Sequence, residues 1–433
     1  MRRIMIFIAV LFLAILITIA TANNVNNEIH LNSNFFFKSP CEEKLDLRIE
    51  TEGETLALSP SGDFYYKNPL GLYSVMSKTE PTIKSHKIDG TSNTAFQFDI
   101  EPNHITIRLQ DNDSVVYESI SDVLASIDKN GVYRVIIDAY WNKLDDKDYY
   151  GSLQYRVDLD ITLHPEIQIK TDANFPGNIL VLTISNMKDT YLTELTTDLS
   201  HGLISTAPIG DSLVYFIPID IWAKAGDFII KVEIKNDAEE IVANLSHTVT
   251  INDKDFVTQY LYISEEVYET TNSDAAYKEF RERAQTARAV STMKKLWDGE
   301  FILPVKDDYV LTTDYGEIRY VNDRITSSRH SGLDLAAPTG TEIYACNSGN
   351  VVLSEYLILT GNTIIIDHGM GLFTSYYHLD TLSSQEGEFV NKGAFVGTMG
   401  STGFSTGPHL HWSISIYNTY VNTWQVLDYD LLP

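Results

Sequence analysis

Two short stretches of this chain hold residue types whose spacing can do chemistry: His330-Ser331-Gly332-Leu333-Asp334 and Ser405-Thr406-Gly407-Pro408-His409-Leu410-His411-Trp412. The second places two imidazoles at i and i+2, after a Gly/Ser/Thr-rich run and at the start of an alternating apolar stretch of Trp412, Ile414 and Ile416. Successive side chains of a β-strand point to opposite faces, so residues two apart share a face. His409 and His411 therefore aim into the same space. The first stretch offers an imidazole and a carboxylate four residues apart, which an extended or gently turning segment presents on one side. Two His and one Asp form the donor set of a catalytic zinc, with three protein ligands and a fourth position left to water. Gly332, with the apolar Leu333 and Leu335, suits the start of a buried strand, where a carboxylate needs a partner such as a metal.

The elements that must position these residues are strands. From about residue 301 the text is β-rich, with strands expected at Glu342–Cys346, Val351–Tyr356, Thr363–His368, Leu372–Leu379, Ala394–Met399 and His409–Ile416, and glycines from Gly387 to Gly407 marking the turns. Upstream, about Glu28 to Ile251 reads as strand after strand with polar turns, for example Val132-Tyr133-Arg134-Val135-Ile136-Ile137 and Leu213-Val214-Tyr215-Phe216-Ile217. That pattern predicts antiparallel sandwiches of the bacterial immunoglobulin-like kind. A boundary is placed near His164-Pro165. Between about Ser264 and Leu296 the period changes: Tyr277, Phe280, Ala284, Ala287 and Met293 follow helical spacing, with Asn272-Ser273-Asp274 as capping residues. The expected organisation is residues 1–22 as a signal peptide or N-terminal anchor, 23–164 and 165–252 as two immunoglobulin-like β-sandwiches, 253–300 as a helical connector, and 301–433 as an antiparallel β-sheet domain. The fold class is mainly β.

Four blocks in the last domain resemble the lysostaphin/LytM family of zinc metallopeptidases, which cut cell-wall peptides. They are His330 to Pro338, Gly361-Asn362-Thr363-Ile364-Ile365-Ile366-Asp367-His368-Gly369, Tyr376-Tyr377-His378-Leu379, and Gly400 to Trp412. The resemblance covers under a third of the chain. It implies one zinc per chain held by His330, Asp334 and His411, with His378 and His409 as non-ligand histidines beside the metal. Spare imidazoles, with pKa values near neutrality, suit proton transfer. His368 belongs to the matching Asp-His-Gly turn but no role needs it. The activity implied is hydrolysis of a peptide bond in peptidoglycan.

Composition narrows the partners. Hydrophobic residues are 44% and aromatic residues 11%, which indicates folded domains, and the net charge is −27. Nucleic acid and anionic membrane surfaces need a basic footprint, so both are excluded as partners. Arg2 and Arg3, the apolar run from Ile4 to Ala20, and Ala20-Thr21-Ala22 read as an export signal, with cleavage after Ala22 favoured over retention as an N-terminal anchor. Membrane contact is then confined to an uncleaved N-terminal segment, and the rest lies outside the cytoplasmic membrane, secreted or at the cell surface. The two cysteines, Cys41 and Cys346, make no disulfide framework, and Cys346 sits in an apolar run that suits a small buried hydrophobe. Three other readings were weighed. One is a non-catalytic wall-binding or hydrolase-activating protein with a degenerate or latent peptidase domain, against which all five positions are filled. Another is a D-Ala-D-Ala carboxypeptidase-type zinc peptidase, against which the His330–Asp334 gap is too short. The third makes polymer binding by the sandwiches the main business. The sequence leaves open which bond is cut, the division of labour between His378 and His409, whether the N-terminal domains target or inhibit the peptidase, and the oligomeric state.

Overall fold

The structure, a computed structural model, describes residues 45–432 apart from short stretches at 52–53, 68–72, 79, 82, 90–93, 145–146, 171–173, 307 and 429–430. The expected export signal of residues 1–22 and Cys41 lie outside the described residues. Among the described residues no helix is long and apolar enough to cross a membrane. The protein is mainly β and divides into two compact units, residues 1–164 and 165–433.

The first unit is built on the hairpin of Gly131–Trp141 and Tyr149–Thr162. Along the second of these strands Leu153, Tyr155, Val157, Leu159 and Ile161 are buried while their neighbours are partly exposed, the period-2 pattern of a strand with one core face. A seven-stranded sheet grows around this pair, with Lys84–Asp89 joining Tyr149–Thr162 in parallel. A three-stranded sheet of Leu47–Thr51, Glu54–Leu58 and Ala95–Phe98 contributes to the same core, where Phe64, Trp141 and Phe98 meet edge to face.

The second unit joins a two-sheet body to the domain that carries the histidines. Its four-stranded sheet runs Glu166–Lys170, Ile179–Ser185, Ser212–Pro218, Ser205–Ile209, and the opposing three-stranded sheet is Leu192–Thr197, Gly226–Lys235, Ile241–Ile251. Leu180, Leu182 and Ile184 point toward the three-stranded sheet and its Ile230, Val232 and Ile234. Ile179 and Val181, on the other face, pack with Phe216 against Trp297 and Phe301 of the histidine-bearing domain. Covered on both faces, this strand is a continuous apolar run, as doubly buried strands are. Gln425 seals the join by bonding both backbone groups of Ile179, accepting from its N–H at 2.6 Å and donating to its carbonyl at 2.7 Å.

After Ile251 the chain first adds a strand, Thr258–Leu261, which pairs in parallel with Ile318–Val321 of the hairpin Ile318–Val321/Arg324–Arg329. Helices follow at Glu265–Thr271 and Asp274–Phe280, the second capped by the Ser273 side chain, and a π-turn covers Arg281–Gln285. The helix stops short of Met293, which is exposed; Ala284 is buried as its spacing implies, and so is Arg288, a polar residue that apolar periodicity does not mark.

The large sheet of the last domain has the order Val310–Thr313, Leu333–Ala336, Leu410–Ile416, Leu372–Leu382, Gly361–Asp367, Gly349–Leu357, Phe389–Val390, with Phe395–Met399 on the side of Leu372–Leu382. The expected strands are present with ends shifted by a few residues, and Cys346 is fully buried. Gly332 permits the tight pairing beside the motif, because a Cβ there would lie 2.3 Å from the Trp412 carbonyl oxygen.

Candidate metal centre

The register of three neighbouring strands builds the centre. Asp334 on Leu333–Ala336 stands opposite His411 on Leu410–Ile416, and His411 stands opposite Tyr377 on Leu372–Leu382. His330 reaches the same spot from the turn before the first of these strands. All three of its nearest polar atoms converge: His330 Nε2 lies 3.0 Å from both Asp334 Oδ1 and His411 Nδ1, and the last two are 2.8 Å apart. His330, Asp334 and His411 are buried and form the group of residues here that could hold a metal ion.

Their protonation makes a cation fit. His330 Nδ1 is 2.8 Å from the Asp314 carbonyl, which can only accept, so Nδ1 carries the proton and Nε2 presents a lone pair. That lone pair faces a carboxylate oxygen, an arrangement of acceptors that repel until a proton or a cation sits among them. Two nitrogens and one oxygen about 3 Å apart, with one side left open, match the donor set of a catalytic zinc site. Burial alone would raise the Asp334 carboxyl, but a proton shared with His330 and then with His411 overrides it and holds the group well below the ordinary carboxylate range. Burial pushes His411 down to about 4, so its imidazole is neutral near pH 7.

His378 and His409 stand beside this cluster, with ring centroids 4.8 Å apart. His409 Nε2 is 3.9 Å from Asp334 Oδ1, as expected for residues i and i+2 on one strand face. Each donates its Nδ1–H to a backbone carbonyl at 2.8 Å, His378 to Thr402 and His409 to Gly407, so each presents Nε2 as a lone pair. His378 faces the site by a different device. Strand alternation would send Tyr377 and His378 to opposite sides, but His378 has φ +64°, and its N–H leaves the ladder to bond the Thr360 carbonyl. This left-handed residue acts as a bulge that re-aims the side chain. Burial, reinforced by His409, lowers its pKa to about 3. A cavity of about 280 Å³ opens on Asp334, His378 and His409, walled by Gln259 and Phe404.

All five residues singled out by the motifs therefore come together, and His368 stays apart. It is fully buried, donating Nδ1–H to the Ser348 carbonyl and accepting at Nε2 from the Thr374 hydroxyl, both at 2.8 Å. Two further residues touch the cluster: Arg319, which no motif announces, and Tyr377, which stands inside the block of His378 but carries no role in it. Arg319 donates to Asp334 Oδ2 at 2.5 Å, holding the carboxylate oxygen that faces away from the histidines. Tyr377 stacks on His411 at 5.3 Å with planes 3° apart, and its hydroxyl accepts from the fully buried Arg288. Arg319 stands 15 residues before Asp334 in a polar hairpin, and Arg288 lies 89 before Tyr377, separations over which no local pattern operates.

Strands ordered this way bring two histidines and an aspartate that could hold a metal ion beside two more histidines. Residues 328–423 match the profile of Peptidase family M23. The chain thus carries a Peptidase family M23 domain at its C-terminus. Over 93 residues it is 38% identical to peptidoglycan DD-endopeptidase ShyA of Vibrio cholerae, covering 22% of each chain. Over 93 residues it is 42% identical to DD-carboxypeptidase/endopeptidase Mpg of Neisseria meningitidis, covering 22% of this chain and 21% of that one. The chain thus spans about a fifth of these curated relatives' length. Among solved structures, a mutant catalytic domain of the prophage-encoded M23 protein EnpA from Enterococcus faecalis is 31% identical, with 28% of this chain and 94% of that one covered and a TM-score of 0.25.

Proposed function

We propose that the protein is an exported zinc metallo-endopeptidase that hydrolyses a peptide bond in bacterial peptidoglycan, with His330, Asp334 and His411 holding one zinc. The observation that carries this reading is the convergence of three acceptor atoms at 2.8 to 3.0 Å, open toward two further imidazoles. The substrate class rests on the relatives, one named as a peptidoglycan DD-endopeptidase and the other as a DD-carboxypeptidase/endopeptidase. Export rests on the N-terminal signal of residues 1–22.

When bound, zinc lowers the pKa of water toward about 7 and polarises the scissile carbonyl. The chain's own groups move the protons. His378 and His409 both aim Nε2 at the cleft, with Nδ1–H tied to backbone carbonyls that fix the rings. One imidazole accepts the proton of the attacking water at Nε2 and delivers it to the amine nitrogen as the C–N bond breaks; the other, when it also carries a proton on Nε2, donates to the oxygen on which negative charge develops. Arg319 binds Asp334 Oδ2 and leaves Oδ1 for the metal.

Elemental analysis of the purified mature chain, paired with release of amino groups from cell walls, tests the reading. One zinc per chain and release of amines are expected. His411→Ala should lose the metal. His409→Ala should keep it and slow by about 10²- to 10⁴-fold, the usual worth of a general acid or base. Full activity in either variant would refute the assignment, and a zinc-free wild type would return the domain to the wall-binding reading.

A further inference from the structure

A second cavity, of about 440 Å³, ends on His330, Ser331 and His411. Three arginines, Arg319, Arg324 and Arg329, line it, and no Asp or Glu does. In a chain of net charge −27 this is a local reversal of sign. The three come from one hairpin, Ile318–Val321/Arg324–Arg329, which brings them to one side of the centre. Arg319 is engaged with Asp334. Arg329 is held flat between two rings, its guanidinium carbon 4.4 Å from the Trp222 centroid and 4.2 Å from that of Phe256. Its Nε and Nη1 are buried without a hydrogen-bond partner. Among the described residues neither Arg329 nor the exposed Arg324 has a carboxylate partner. Guanidinium groups left uncompensated beside a cavity favour an anion within it, and their planar fork matches a carboxylate.

We infer that this cavity recognises a carboxylate of the substrate beside the scissile bond, so that the enzyme takes an acidic wall peptide in preference to an uncharged, glycine-type cross-bridge. The inference rests on the peptidase reading above. Arg319 and His411 border both cavities, so a peptide lying across the centre places one flank against His378 and His409 and the other against the arginines. The stacking of Arg329 fixes its plane in advance, which limits the ordering cost of binding.

The test uses two synthetic peptides of one sequence, with the side-chain carboxylates flanking the cleaved bond free in one and amidated in the other. Zinc-loaded mature chain should cleave the free form with kcat/KM higher by about tenfold or more, the worth of a charge-assisted hydrogen bond. Arg324→Gln, an exposed position, should remove most of that advantage through KM, with kcat kept within about threefold and the amidated peptide unaffected. Arg329→Gln should act in the same direction, with a melting curve to establish that it folds. Equal KM for the two peptides, or no effect of Arg324→Gln, overturns the inference. Binding of the same peptides to zinc-loaded His409→Ala, followed by fluorescence anisotropy, separates the two readings. Charge-selective binding that Arg324→Gln abolishes, without hydrolysis by the wild type, supports the arginine site and sinks the peptidase. Hydrolysis with no charge preference does the reverse.

Discussion

At the candidate metal centre each of three histidines gives its Nδ1–H to a backbone carbonyl, and Asp334 is fixed by Arg319 from behind. Groups that orient a metal ligand typically change affinity or activity by about 10- to 100-fold when removed. Arg319→Met should therefore weaken zinc binding by about that factor, measured by competition with a chelator, while the metal-free fold stays intact. An unchanged affinity would reduce Arg319 to a surface ion pair. His368 gives a prediction about pH. Burial lowers its pKa from 6.5 to about 4, so the folded state holds it neutral while the unfolded chain charges it. The unfolded state binds more protons between those values, so stability is full above about pH 6.5 and falls as the pH drops to 4. For this residue the loss is at most about 3 kcal/mol. Urea unfolding of the metal-free protein should show a shallower acid decline in His368→Gln. An identical slope would mean that the imidazole is already charged in the native state.

Strand pairing does at the next scale what no single residue can. Asp334, His411 and Tyr377 form one rung across three strands, so the distances at the centre depend on the approach of Leu333–Ala336 to Leu410–Ile416. Gly332 sets that approach. Gly332→Ala places a Cβ 2.3 Å from the Trp412 carbonyl oxygen, which must move. Overpacking of this kind costs about 1–3 kcal/mol. The expected result is a lowered melting temperature together with loss of stoichiometric zinc. A variant that melts lower yet keeps full zinc would show the rung to be more tolerant than its spacing implies. The pairing of His409 with His411 on one face was legible in the sequence, because strand period is a local property. The aim of His378 was not, since it depends on a left-handed backbone that a non-glycine residue adopts only when its neighbours impose it.

Across the molecule, the four-stranded sheet of residues 165–218 serves two cores at once. Its outer face packs with Trp297 and Phe301, and Gln425 bonds both backbone groups of Ile179. Residues 165–433 should then melt in a single transition. A fragment of residues 301–433 should be markedly less stable and less soluble, since it exposes the surface that Val181 and Phe216 cover. Calorimetry on both fragments checks this, and two separate transitions in residues 165–433 would contradict it. Gln425→Leu leaves two buried backbone groups without partners and should cost about 2–6 kcal/mol, from about 1–3 for each.

The family resemblance pointed to His378, and the sequence by itself determined the β class, the strands around the motifs, and the spacing that brings His330, Asp334, His409 and His411 together. Those signals repeat over two to four residues, within the reach of local backbone geometry. Only the tertiary structure decided that Arg319 backs Asp334, that Tyr377 and buried Arg288 stand behind His411, and that three arginines of one hairpin face a cavity at the same centre. It also decided that the sheet of residues 165–218 shares its core with the peptidase domain. These contacts join positions from 15 to 246 residues apart. Burial, register and the need to satisfy each buried polar group select them, and those conditions exist only once the chain has closed on itself.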